Sequence, residues 1–274
     1  MNTIVSIEWL NQHLKDPDLI LLDASLQTTA EGASADSQLQ TIPGARYFDL
    51  KNSFSDCNSP FPNTLPTEKQ FEANCQKLGI HKNSKIIVFD SLGIYSSPRV
   101  WWLFKVMGHP NVSVLNGGFP EWERKGYTTE LRTQKYYELG TFKATLETKS
   151  IKNYQDILNN LHEKTFTIVD ARSKGRFNGT ENEPRKYLKS GHIPDAINMP
   201  YQDLLENGKF KSELELKKII NQKLPKNEKL VFSCGSGLTA CIVMLACETV
   251  SQKGIAIYDG SWTEWAELQD LKTI

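Results

Sequence analysis

Apolar residues along the chain fall into two kinds of run. Short runs rich in β-branched residues, such as "LILLD" from Leu19 and "KIIVF" from Lys85, end in polar residues and predict strands. Longer stretches repeat an apolar residue every third or fourth position. "SIEWLNQHL" from Ser6, "EKQFEANCQKLG" from Glu68 and "SELELKKIINQKL" from Ser212 follow this rule and predict helices with one buried face. A fourth helical stretch, "LTACIVMLACETV" from Leu238, is apolar nearly all round and predicts a buried helix. Strand and helix signals alternate, which implies a mainly parallel sheet covered by helices.

The pattern is written twice. "LILLDAS" from Leu19 pairs with "FTIVDARS" from Phe166, and "TIPGARYFDL" from Thr41 with "HIPDAINMPY" from His192. "KIIVFDS" from Lys85 pairs with "KLVFSCG" from Lys229, and "NGGFPEWERKG" from Asn116 with "DGSWTEWAELQ" from Asp259. The order is kept at an offset of roughly 145 residues, the signature of a duplicated domain. The fold class expected is therefore α/β, with two tandem domains, each a mainly parallel sheet flanked by helices. The first is expected over 1–135 and the second over 148–274, with the polar stretch Thr128–Thr141 as linker. The copies differ where chemistry would sit. After the second strand motif the later copy reads "SCGSGLTA", and the earlier one reads "DSLGIYSSPR" without a cysteine. Such asymmetry is expected of a duplicated enzyme that keeps one active site.

Composition excludes several partner classes. Lys+Arg and Asp+Glu both count 32, which gives no reason to expect nucleic acid or an anionic membrane as partner. No run of ~18 apolar residues spans a membrane, and the first residues read as a mature start. Five cysteines at irregular spacing do not form a secreted disulfide framework, so a reducing cytoplasm is the expected location. The five histidines are scattered and imply no metal site, and no cofactor is implied.

Cys234 follows the strand-like "KLVF" and opens the loop Gly235, Ser236, Gly237, Leu238, Thr239. A ligand of a parallel sheet binds beyond the carboxyl ends of its strands. Glycines let the loop curl, and the curl turns successive N–H groups inward at the start of a helix. Both features favour thiolate over thiol. A core strand would want bulk beside Cys234 and not glycine, so a nucleophile fits better than a buried hydrophobe. Cys241 and Cys247 lie within the apolar helix and read as core. A cysteine phosphatase would need an arginine six residues after the nucleophile to fork onto phosphate, and that position is Ala240.

These residues carry a resemblance. "CGSGLTAC" (Cys234–Cys241), "GRFNGTENEPR" (Gly175–Arg185), "SGHIPDAINMP" (Ser190–Pro200), "YSSPRVWWLF" (Tyr95–Phe104) and "YDGSWTEW" (Tyr258–Trp265) occur in one order across nearly the whole chain. In them the chain resembles the two-domain sulfurtransferases of the rhodanese superfamily, in particular those acting on 3-mercaptopyruvate. The resemblance implies a persulfide on Cys234 with release of pyruvate, followed by transfer to a thiol acceptor such as thioredoxin, or to cyanide. It implies that Arg176 and Arg185 hold the keto-acid, that Ser236 assists proton movement, and that Asp49 is the catalytic aspartate of the inactive half. Many members carry a histidine in the stretch that reads "SPFPNTLP" here, and Asn63 takes its place. Asparagine does not shuttle protons at neutral pH, so a Ser-His-Asp relay is not expected. Thiosulfate enzymes of the family have "CRKG" at the loop, whereas this loop carries no cation, which favours 3-mercaptopyruvate over thiosulfate. The alternatives are a thiosulfate sulfurtransferase and a non-catalytic sulfur carrier or protein-binding module.

Overall fold

The computed structural model describes residues 2–27, 40–226, 228–251 and 255–270. The chain divides into two units. One holds the chain up to Cys57, Leu65–Glu147 and Asn207–Phe210, and the other holds Asn58–Thr64, Thr148–Glu206 and the chain from Lys211 on. Each half thus lends the other unit a short segment.

In the first unit β1 (Ile4–Val5), β2 (Leu19–Asp23), β3 (Arg46–Tyr47), β4 (Lys85–Phe89) and β5 (Val112–Leu115) form a parallel sheet in the order β1-β5-β4-β2-β3. The second unit repeats this with β6 (Ile151–Lys152), β7 (Thr167–Asp170), β8 (Ile197–Asn198), β9 (Leu230–Ser233) and β10 (Ile255–Tyr258), in the order β6-β10-β9-β7-β8. Phe89 pairs with Asp23, and Ser233 pairs with Asp170. Asp90 and Cys234 therefore occupy the same place, one residue beyond the end of the central strand.

Alternation along the strands sends side chains to both faces. Leu21, Ile87, Phe89 and Leu115 pack on Ile7 and Leu10 of α1 (Ile7–His13) and on Phe119 and Trp122 of α4 (Gly118–Arg124). Behind them, Phe71 of α2 (Glu68–Lys77) and Phe104 of α3 (Ser97–Val106) meet at 5.2 Å between ring centres. Serine and threonine caps start the helices: Ser6 accepts from the Trp9 amide, and Thr67 from the Gln70 amide.

In the second unit Ile168, Val231, Ala256 and Tyr258 pack on Ile157 of α5 (Tyr154–Glu163) and on Trp262 and Trp265 of α9 (Ser261–Asp270). A short helix, α6 (Lys174–Asn178), follows β7. Glu215 and Ser212 close a capping box at the start of α7 (Glu213–Lys223). Next comes α8 (Thr239–Thr249), which is buried from Thr239 through Cys247 and packs on β9, β10 and α7. This is the helix apolar on all sides, and full burial is what such a pattern requires.

The polar stretch expected to be a linker is not loose. Gly140 N–H donates to the Gln76 carbonyl (2.8 Å) and Phe142 N–H to the Ile80 carbonyl (3.0 Å). A Cβ on Gly140 would lie 2.0 Å from the Ile80 oxygen, so only glycine passes there. Phe142 is buried against Phe71 and Phe104, at 5.6 and 5.8 Å. The stretch and the Phe142 just beyond it are thus bonded and packed onto the first unit, where Arg46 also lies over the Tyr137 ring at 4.4 Å.

Candidate active site

Cys234 is 1% exposed, at the tip of β9. Its loop is pinned from behind by the first turn of α9. The Trp262 amide donates to the Cys234 carbonyl (2.9 Å), and the Thr263 amide and hydroxyl both donate to the Gly235 carbonyl (3.1 and 2.7 Å). These bonds satisfy amide groups that a helix start otherwise leaves without partners. Buried Ser261 accepts from the Cys234 amide (3.3 Å) and donates to the Tyr258 carbonyl (3.0 Å). Gly237 takes φ +80°, which glycine adopts without strain, and turns the loop into Leu238, the N-cap, and Thr239, the first residue of α8.

The first unit shows what a loop in this place does with an anion. Asp90 stands where Cys234 stands, in a loop two residues longer. Its buried carboxylate accepts from the amides of Leu92 (3.0 Å), Tyr95 (2.9 Å), Ser96 (3.0 Å) and Ser97 (2.9 Å), and from the Ser97 hydroxyl (2.6 Å). Its carbonyl accepts from the Phe119 amide (3.0 Å), as that of Cys234 does from Trp262. In this copy the cradle is filled by the chain's own carboxylate, and no nucleophile is present.

Other thiols are set apart from Cys234 by environment. Desolvation pushes the Cys247 thiol up to about 12, and the Cys75 thiol well above its ordinary value. Neither is a ready nucleophile. Cys241 is buried, and its thiol reaches the Gly237 carbonyl at 3.3 Å. Cys57, in the first unit, is exposed.

Both candidate arginines meet the nucleophile loop. A Cβ on Gly235 would lie 2.9 Å from the Arg176 Nη2, so the guanidinium rests against bare glycine backbone. Arg185 Nη1 approaches the Thr263 hydroxyl at 3.4 Å, the group that itself donates to the Gly235 carbonyl. Arg176 is also ion-paired. Its Nη2 lies 2.6 Å from Glu183, while Glu181 takes the Ser173 hydroxyl instead. Sequence reasoning did not assign Arg172, which completes this network. Its side chain is fully buried, reaches Glu183 at 2.7 Å and Asp170 at 2.5 Å, and lies over the Trp262 ring at 4.4 Å. A signal existed: "DAS" of the first copy becomes "DAR" in the second.

Ser236 is buried at 6% exposure and accepts from Asn63 Nδ2 at 3.0 Å. Asn63 belongs to the borrowed segment Asn58–Thr64, so the stretch expected to carry a histidine does lie on the nucleophile loop. Asp49 lies in the first unit, where its carboxylate accepts from the Asn52 amide (3.2 Å) and from the Asn52 side chain (3.1 and 3.0 Å). His192 has a structural place: it stacks on Phe177 at 4.0 Å and bonds the Phe177 carbonyl at 2.8 Å. Among the described residues no cluster of metal-ligating side chains occurs. No helix among them is long and apolar enough to cross a membrane.

Rhodanese-like domains match residues 6–125 and 153–268. The chain belongs to the rhodanese-like family. Mouse 3-mercaptopyruvate sulfurtransferase is 38% identical over 272 residues, covering 96% of this chain and 91% of that protein. Mouse thiosulfate sulfurtransferase is 39% identical over the same coverage. The crystal structure of SseA from Escherichia coli, a 3-mercaptopyruvate sulfotransferase, superposes with a TM-score of 0.85 at 32% identity, over 96% of this chain and 99% of that one. The duplication and the α/β class read from the sequence agree with this membership. Near-equal identity to the two mouse enzymes leaves the choice of sulfur donor to the site itself.

Proposed function

We propose that the protein is a sulfurtransferase that takes sulfur from 3-mercaptopyruvate through a persulfide on Cys234. One observation carries this reading: a buried cysteine loop with no cation of its own has the Arg176 guanidinium against Gly235, and Arg185 reaching Thr263, whose hydroxyl bonds the Gly235 carbonyl. A forked, permanently charged donor suits a carboxylate beside a ketone. Arg176 is held in place by Glu183 and presents its edge over Gly235, and Arg185 is half-buried beside it.

The chemistry balances without a cofactor. Cys234 thiolate forms the S–S bond with the substrate sulfur as the C–S bond breaks. The electron pair stays on the methylene carbon as the pyruvate enolate, and the proton of the substrate thiol ends on that carbon. In the second half-reaction an acceptor thiolate attacks the outer sulfur, leaves as a persulfide and restores the Cys234 thiolate. Thioredoxin is an acceptor of the right chemistry, and a reducing compartment such as the cytoplasm fits free thiols at Cys57 and Cys234. Asp49 accepts from Asn52, and Ser236 has Asn63 beside it in place of a histidine, so a relay through an imidazole is not part of this reading.

Rates with 3-mercaptopyruvate and thiosulfate at one ionic strength test the donor. The expected result is a higher kcat/KM for 3-mercaptopyruvate, and a preference for thiosulfate would replace this reading with the thiosulfate one. Arg185→Lys keeps the charge but loses the fork, and should lower kcat/KM for 3-mercaptopyruvate by at least about tenfold, or about 1.4 kcal/mol. Unchanged kinetics would remove Arg185 from the substrate site.

A further inference from the structure

The geometry at Ser236 determines which way its hydroxyl is used. Asn63 Nδ2 lies 3.3 Å from the Ser236 carbonyl oxygen as well as 3.0 Å from the hydroxyl. A carbonyl only accepts, so the end of the Asn63 amide that faces Ser236 is the NH2 end. That end carries two hydrogens and no lone pair to offer. One hydrogen goes to the carbonyl and the other to Oγ. The hydroxyl therefore accepts from Asn63, and its own hydrogen stays available for a different acceptor. A histidine in this place could take that hydrogen, whereas the NH2 end of Asn63 cannot.

We propose that Asn63 is a positioning residue that fixes Ser236 as a hydrogen-bond donor to anions formed at the nucleophile loop, through a group that does not titrate. The proposal rests on the sulfur transfer above and deepens it. Asn63 reaches the loop because its segment belongs to the second unit, although the sequence places it in the first half. Charged or titratable groups at the loop include Cys234 within it, Cys241 against the Gly237 carbonyl, Arg176 with Glu183 beside Gly235, and Arg185 beside Thr263. Segment Asn58–Thr64 contributes none.

Two variants separate this role from a structural one. Asn63 has φ +60°, a left-handed conformation that glycine and aspartate both tolerate, so neither change strains the backbone. Asn63→Gly removes the amide and leaves the serine hydrogen unclaimed. Asn63→Asp keeps the shape but offers an acceptor, which draws the hydrogen away from the loop. In kcat, Asn63→Asp should fall about tenfold at pH 8 and Asn63→Gly only about threefold, with KM within about twofold in both. The ratio of Asn63→Asp to the unmodified chain should climb as pH falls toward about 4, because a protonated carboxyl donates again. On a Ser236→Ala background the two variants should become equal. Asn63→Gly as damaging as Asn63→Asp, an Asp/Gly difference that survives Ser236→Ala, or no recovery in acid would each overturn the proposal. Both sulfur donors are assayed. Turnover of thiosulfate alone overturns only the choice of donor, and the same comparison is then read with thiosulfate. Turnover of neither overturns this proposal together with the function it rests on.

Discussion

Cys234→Ser should abolish sulfur transfer from either donor, a loss on the order of 10³-fold or more, while the chain stays folded. Serine is close to cysteine in size and fits a position 1% exposed. Pinning of the loop by Trp262 and Thr263 uses the backbone of Cys234 and Gly235, not the sulfur, so the substitution leaves it intact. What disappears is a nucleophile able to hold a second sulfur. Cys75 and Cys247 are poor substitutes for it, since burial raises both thiols above their ordinary range, and Cys57 is not part of the loop. Circular dichroism and thermal unfolding check the fold, and initial rates with both donors check the chemistry. Appreciable turnover by a folded Cys234→Ser protein would remove Cys234 from the mechanism.

Glu183→Ala should be the most destabilising single change near the site. Its carboxylate is 1% exposed and shared by Arg172 and Arg176, whose side chains are 0% and 10% exposed. Removing it takes away the carboxylate that both guanidinium groups share, while Arg172 keeps Asp170. Breaking a buried ion network from one side costs about 3–5 kcal/mol, because a charge stays buried without its partner. Catalysis should suffer along with stability, because the same carboxylate holds Arg176 over Gly235. Urea unfolding followed by fluorescence measures the change. Glu183→Gln, which keeps a hydrogen-bonding shape, should lose less. A loss below about 1 kcal/mol for Glu183→Ala would mean that water or another group replaces the carboxylate.

Local chemistry made the loop legible. Cysteine, glycine, serine and glycine at the end of a β-branched run depart from what a core strand needs, and the second copy of the motif showed where the departure lay. Gly235, Ser236 and Gly237 lead that loop into Leu238 and Thr239 at the start of α8, Arg176 lies against Gly235, and Arg185 reaches Thr263, which bonds the Gly235 carbonyl. Long-range placement was less legible. Nothing in "SPFPNTLP" says that it belongs with the second unit, since the contacts that put it there are made across 173 residues of chain. Arg172 escaped notice because an arginine directly after a strand reads as a solvated end. Its burial depends on neighbouring Asp170 and on Glu183 and the Trp262 ring, which arrive from two other segments. Packing beside the stretch Thr128–Thr141 was hidden for a related reason: Phe142, just beyond it, is one apolar residue among polar neighbours, and its burial is visible only once Phe71 and Phe104 face it.

The central claim is that Cys234 carries sulfur between donor and acceptor. Its most direct test is the intact mass of the Cys57→Ser chain after brief exposure to 3-mercaptopyruvate, followed by peptide mapping and then by addition of a reduced thiol acceptor. Removing the exposed Cys57 leaves four buried thiols, among which the peptide map singles out Cys234. The account predicts a gain of one sulfur atom, mapped to the peptide containing Cys234, and its loss when the acceptor is added. No mass gain, or a sulfur mapped to any other residue, would contradict it.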